Sequence, residues 1–121
     1  MKPRYVKIKD HNHDELVSVL IQLGGRVIDM CGVGDKFPDL LVLCGERLLI
    51  VEVKNLKTGY GKKGLNPGQR EFATWWHCEG GTVYVIHNAD DCRTLVSPED
   101  RHRLAFKPTA DDINRLSVRG K

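Results

Sequence analysis

Phe37-Pro38-Asp39-Leu40-Leu41-Val42-Leu43-Cys44-Gly45-Glu46-Arg47-Leu48-Leu49-Ile50-Val51-Glu52-Val53-Lys54-Asn55 is the stretch whose reading decides the fold. Leu40-Leu41-Val42-Leu43 and Leu48-Leu49-Ile50-Val51 are short apolar runs bounded by turn residues, which predicts two buried strands. With Gly45-Glu46 as the centre of a two-residue turn, the glycine sits where a type II′ turn needs it. Cys44 then faces Arg47, and continuing the pairing sets Asp39 opposite Glu52. Directly opposed residues hold their Cβ atoms about 4.5–5.5 Å apart. Lys54 shares a face with Glu52 because side chains alternate along a strand. Two opposed carboxylates destabilise a hairpin unless positive charge sits between them. A divalent metal ion with a lysine alongside meets that requirement.

The rest of the chain limits what such a hairpin belongs to. A length of 121 residues accommodates one domain and one core. With 40% hydrophobic and 29% charged residues, the composition is that of an ordinary globular protein. No apolar run approaches the roughly 20 residues of a membrane span, and Met1-Lys2-Pro3-Arg4-Tyr5 lacks the apolar stretch of a signal peptide. Cys31, Cys44, Cys78 and Cys92 contain no CxxC pair, so reduced thiols and a cytoplasmic, intracellular location are expected. The net charge of +3 is unevenly placed: Lys57, Lys62 and Lys63 lie between Lys54 and Arg70 with no acidic residue among them. A basic loop leaving the carboxylate hairpin suits a phosphate backbone.

Outward from the hairpin, helical spacing of Leu16, Val19, Leu20 and Leu23 predicts a helix capped at Asn12 or Asp10 and stopped by Gly24-Gly25. Val27-Ile28-Asp29-Met30-Cys31 reads as the first strand. The hairpin is apolar on both faces and is therefore expected in mid-sheet, covered on both sides. Pro67 opens a helix carrying Phe72, Ala73, Trp75 and Trp76, and Gly80-Gly81 ends it before a strand at 82–87. Ser97-Pro98-Glu99-Asp100 and Thr109-Ala110-Asp111-Asp112 both look like helix starts. The expected class is α/β: helix, three strands, helix and strand in a mixed sheet flanked by helices, with residues 97–121 as a helical extension.

Pro38-Asp39 followed by Glu52-Val53-Lys54 resembles the PD-(D/E)XK nuclease superfamily. Together with Glu15 on the upstream helix, Asn66-Pro67-Gly68-Gln69 opening the downstream one, Gly80-Gly81, the strand 82–86 and Asn88-Ala89-Asp90-Asp91, the pattern is similar to its VRR-Nuc (virus-type replication-repair nuclease) branch, related to archaeal-type Holliday-junction resolvases. The resemblance covers residues 12–95 and implies a restriction-endonuclease-like αβββαβ core. It is compatible with a phage or mobile-element origin.

In such a site Asp39 and Glu52 supply hard oxygen ligands suited to Mg²⁺ or Mn²⁺, and Lys54 either handles the attacking water or holds the scissile phosphate. The resemblance further implies the Val53 backbone carbonyl and Glu15 as metal ligands, Asp14 being the alternative to Glu15. It also places Gln69 beside the catalytic lysine, whereas the residues alone allow Gln69 to close a capping box with Asn66. Lys57, Tyr60, Lys62, Lys63 and Arg70 are expected against DNA. His11 and His13 have no partners at zinc spacing, so no zinc role is expected. Trp75 and Trp76 fit a core stripe better than base stacking. Asp29 and Asp35 precede the hairpin, where either could support the metal ligands from behind, and neither is assigned to the site.

The function so implied is a metal-dependent DNA endonuclease acting on branched or structured DNA in repair, recombination or phage replication. A homodimer is expected because cutting two strands takes two sites. The alternative is a nucleic-acid-binding module that keeps the fold without the chemistry.

Overall fold

The structure is a computed structural model that describes residues 12–34, 37–55 and 64–119, with side chains through 116. Its hairpin forms in the expected register. Strands β2 (Leu40–Cys44) and β3 (Arg47–Val53) run antiparallel, with Cys44 facing Arg47 and Leu40 facing Val51. Gly45 has φ +63°, and no described non-glycine residue has positive φ. Glu46 therefore stays at negative φ, the combination of a type II′ turn and not of type I′.

β1 (Arg26–Asp29) pairs antiparallel with β2, and β4 (Val83–Ile86) pairs parallel with β3, giving a mixed sheet in the order β1-β2-β3-β4. The parallel step from β3 to β4 uses α2 (Pro67–Cys78) as its crossover, as parallel neighbours require. With α1 (His13–Gln22) in front, the order is helix, three strands, helix, strand.

Both helices end in the same way, for the same reason. Gly24 and Gly80 each sit at φ +95°, a conformation that a Cβ disfavours. Behind them, the Gly25 N–H donates to Leu20 O (3.0 Å) and the Gly81 N–H to Trp76 O (2.8 Å), the long bond of a Schellman motif. The double glycines visible in the sequence are the stop signals. Gly81 has a second duty: a Cβ there would overlap the Trp76 indole nitrogen.

Leu16 and Leu20, one turn apart on α1, bury against Leu40, Val42, Leu49, Val51, Val53 and Ile86 on one face of the sheet. Cys92 and Leu95 of α3 (Ala89–Val96) complete that core. On the other face α2 lays Phe72, Ala73 and Trp76 over Ile50, Val83 and Val85, joined by Leu65 and Phe106.

The second face is only half covered, which corrects the expectation of a hairpin buried on both sides. Ile28, Leu43 and Leu48, at the β1–β2 end, are 57%, 44% and 58% exposed. One helix is about 10 Å across and strands lie about 4.8 Å apart, so α2 shields two strands and not four.

β1 stops at Asp29 instead of Cys31, because the Asp29 side chain accepts the Cys31 N–H (3.0 Å) and turns the chain. Helix α3 follows the Asn88 cap, whose Oδ1 accepts the Asp91 N–H at 2.8 Å, and is an element beyond the helix and strand order expected for the core. Ser97–Asp100 leads only into a 3₁₀ turn, Arg101–Leu104. Thr109 and Asp112 do start a full helix, α4 (Ala110–Arg119), each accepting the other's backbone N–H. The C-terminal apolar residues are partly spent on their own subunit: Leu104 packs on the first core and Phe106 on the second. Among the described residues no helix is long and apolar enough to cross a membrane.

Candidate functional site

The carboxylates of the hairpin meet where the register sends them. The Asp39 N–H donates to Glu52 Oε1 (3.2 Å), and the Val53 N–H donates to Asp39 Oδ2 (2.8 Å). Each carboxylate is thus aimed by backbone of the opposite strand. Asp39, Glu52 and Lys54 are 5%, 2% and 5% exposed. Three ionisable side chains this deep are uncommon, because removing a charge from water is costly without compensating partners. The Lys54 N–H continues the parallel ladder by donating to Ile86 O (2.9 Å), which keeps Lys54 on the Glu52 face of the sheet. Val53 lies between them with its side chain fully buried in the core.

Glu15 lies on α1. It is exposed and lines a cleft of about 310 Å³ with Asn12, Leu16, Asn55, His87, Asn88 and Ala89. The Asn12 side chain donates to His87 O (2.7 Å), closing the floor between α1 and the end of β4. Asn55 follows Lys54 directly, so this cleft adjoins the strand end that carries the lysine. Among the described residues, no trio of close metal-ligating atoms includes Glu15.

Gln69 is buried, and its carboxamide closes the capping box that the sequence allowed. Asn66 Oδ1 accepts the Gln69 N–H (2.8 Å), and Gln69 Oε1 accepts the Asn66 N–H (3.0 Å). Its oxygen is committed to the helix start, so any action on Lys54 falls to the amide nitrogen.

Arg70, expected against DNA, is tied within the chain and keeps part of its side chain exposed. Its guanidinium takes both oxygens of Asp112 on α4 and lies 5.1 Å over the Phe106 ring. The bidentate pair holds the Asp112 carboxyl well below the usual carboxylate range and raises Arg70 further. Lys57, Tyr60, Lys62 and Lys63 lie outside the described residues, as do Asp35 and His11. Trp75 and Trp76 join Phe72 and Phe37 in one aromatic cluster. Trp76 is half-buried and stacked on Phe72, as a core stripe predicts, whereas Trp75 is 45% exposed and does not take the core role expected of it.

Sequence reasoning missed one group. His13 is 1% exposed, and its Nε2 lies 3.0 Å from Asp29 Oδ2. Its ring, the Cys31 sulfur and an Asp39 oxygen all fall within 4.8 Å of one another. No spacing rule could have found this trio, because it joins the start of α1, the turn after β1 and the start of β2. Among the described residues no other thiol belongs to such a group; burial, followed by the nearby Asp91, pushes Cys92 up to about 11, and no described cysteine is in a disulfide.

No family model, curated protein or solved structure matches this chain. The resemblance to PD-(D/E)XK nucleases accordingly rests on the sequence motif alone.

Proposed function

We propose that this chain is a restriction-endonuclease-like nuclease that hydrolyses phosphodiester bonds in DNA, in the manner of the VRR-Nuc branch. One observation carries the reading: Asp39 and Glu52 are buried, opposed across a hairpin, and each is tied to the other strand's backbone, with Lys54 next on the same face. A protein gains nothing in stability from facing two buried carboxylates. It gains a site for a hard divalent cation.

The donor set fits Mg²⁺ or Mn²⁺: two carboxylates, with the Val53 carbonyl and Glu15 as the further oxygen donors that the family pattern supplies. The ion would bring Lewis acidity, making water a better nucleophile and offsetting charge on the phosphate oxygens. Asp39 and Glu52 hold fixed orientations because backbone N–H groups aim them. Lys54 places positive charge beside them to orient the water or grip the scissile phosphate. The working unit is a homodimer, since paired cuts in branched DNA take two active sites.

The test is incubation of pure protein with supercoiled plasmid and with a four-way junction, in Mg²⁺, in Mn²⁺ and in EDTA. Cleavage that needs the metal, and that Asp39→Asn and Glu52→Gln abolish, is the expected result. Tight junction binding with no cleavage in either metal would instead identify a binding module on a nuclease fold.

A further inference from the structure

His13, Cys31 and Asp39 are 1%, 4% and 5% exposed, and one ligating atom from each lies within 4.8 Å of the others. We propose that these three side chains form a binding site for a borderline-soft divalent transition ion of the Zn²⁺ class, beside the carboxylate pair and different from it in chemistry. The proposal shares Asp39 with the nuclease reading but does not depend on it.

The ligand types argue for the ion. Imidazole and thiolate favour Zn²⁺ and its neighbours over Mg²⁺, which is bound through oxygen. Three protein ligands leave the fourth tetrahedral position open, the pattern of sites that hold a water or a substrate atom. In such a site, bonds of about 2.0 Å to nitrogen or oxygen and about 2.3 Å to sulfur separate neighbouring ligand atoms by roughly 3.5 Å. Binding an ion would draw the three atoms from within 4.8 Å of one another to that spacing.

The surroundings argue independently. Asp29 touches both of the softer ligands: Oδ2 lies 3.0 Å from His13 Nε2, and Oδ1 accepts the Cys31 N–H at 3.0 Å. One carboxylate thereby orients the imidazole and positions the cysteine, as outer carboxylates do around bound zinc. Asp39 is itself steadied by the Val53 N–H. The buried trio with its supporting shell is built, and it is built at the edge of the candidate nuclease site. Because Asp39 belongs to both ligand sets, a Zn²⁺-class ion and Mg²⁺ compete for one carboxylate.

Cobalt reports on the site without any DNA. Co²⁺ is titrated into chelator-treated protein under a phosphine reductant and followed by absorption. Wild type should bind one ion per chain with a near-ultraviolet thiolate-to-cobalt band, and Zn²⁺ should bleach it. Cys31→Ser should remove the band, and His13→Gln should weaken binding by about tenfold or more. A band that persists in Cys31→Ser, or no band in wild type, overturns the proposal. The group His13, Asp14 and Asp29, also within 4.8 Å, would bind without a sulfur signal and is separated by the same readout. If the variants do not fold, zinc-edge X-ray absorption of wild type decides, since a shell without sulfur overturns the site. Loss of the nuclease reading shows instead as absent DNA cleavage with the cobalt band intact.

Discussion

At the residue scale Asp39 is tied to the backbone through the Val53 N–H, and substitutions can separate that bond from the metal-binding role proposed for it. Asp39→Asn keeps an oxygen for the Val53 N–H, so thermal stability should fall by no more than about 1 kcal/mol while cleavage drops by about 100-fold or more. Asp39→Ala leaves that buried N–H without its acceptor and should cost a further 1–3 kcal/mol or so. Parallel denaturation and cleavage measurements on the two variants check this. An asparagine variant that cuts normally would remove Asp39 from the site. Gly81→Ala is the structural counterpart. Its methyl would collide with the Trp76 indole, so the aromatic cluster must shift, and the tryptophan fluorescence should change along with a loss of about 1–3 kcal/mol.

At the scale of elements, α4 is fastened to α2 by Arg70 and Asp112, which lie 42 residues apart in sequence. The folded Asp112 carboxyl is held below its ordinary range, so its contribution is complete above about pH 4, the unfolded value. That contribution declines as pH falls through the lowered folded value. Amide exchange over residues 110–119 should therefore be insensitive to pH from neutral to about 5, once intrinsic rates are removed, and should accelerate only in strong acid. Asp112→Asn should produce that acceleration at neutral pH, with a stability loss on the order of 1 kcal/mol for a bidentate pair whose arginine is partly exposed. Unchanged protection in the variant would show that Phe106 and the other apolar contacts hold the helix unaided.

For the whole molecule, the predictions concern DNA and a second copy. Replacing Lys57, Lys62 and Lys63 by Ala should weaken DNA binding across all sequences and flatten its salt dependence by about one unit of slope for each phosphate no longer neutralised. A loss confined to one sequence, with the slope unchanged, would point to base readout. Light scattering should give twice the mass of one chain at working concentration. A monomer that cuts both strands of a junction in a single binding event would refute the dimer. Leu104 and Phe106 of the C-terminal segment pack within the chain and leave little apolar surface of their own for such an interface.

Hairpin register, the helix stops and the helix starts at Asn66 and Thr109 were legible in the residue string, because each depends on groups a few positions apart. The helix after Asn88 was not foreseen, and Ser97–Asp100 leads only into a 3₁₀ turn. Gly45 selects the turn, alternation does the rest, and Asp39 has to meet Glu52. The double glycines and the Asn66-Pro67 pair mark the ends of helices through backbone bonds that reach no further than five residues. Tertiary structure decided what depends on how helices lie across the sheet. It left Ile28, Leu43 and Leu48 bare, because a single helix is too narrow to cover that face. It gave Arg70 to Asp112 and set His13, Cys31 and Asp39 around one point. Those meetings come from packing between distant segments, and no local spacing encodes them.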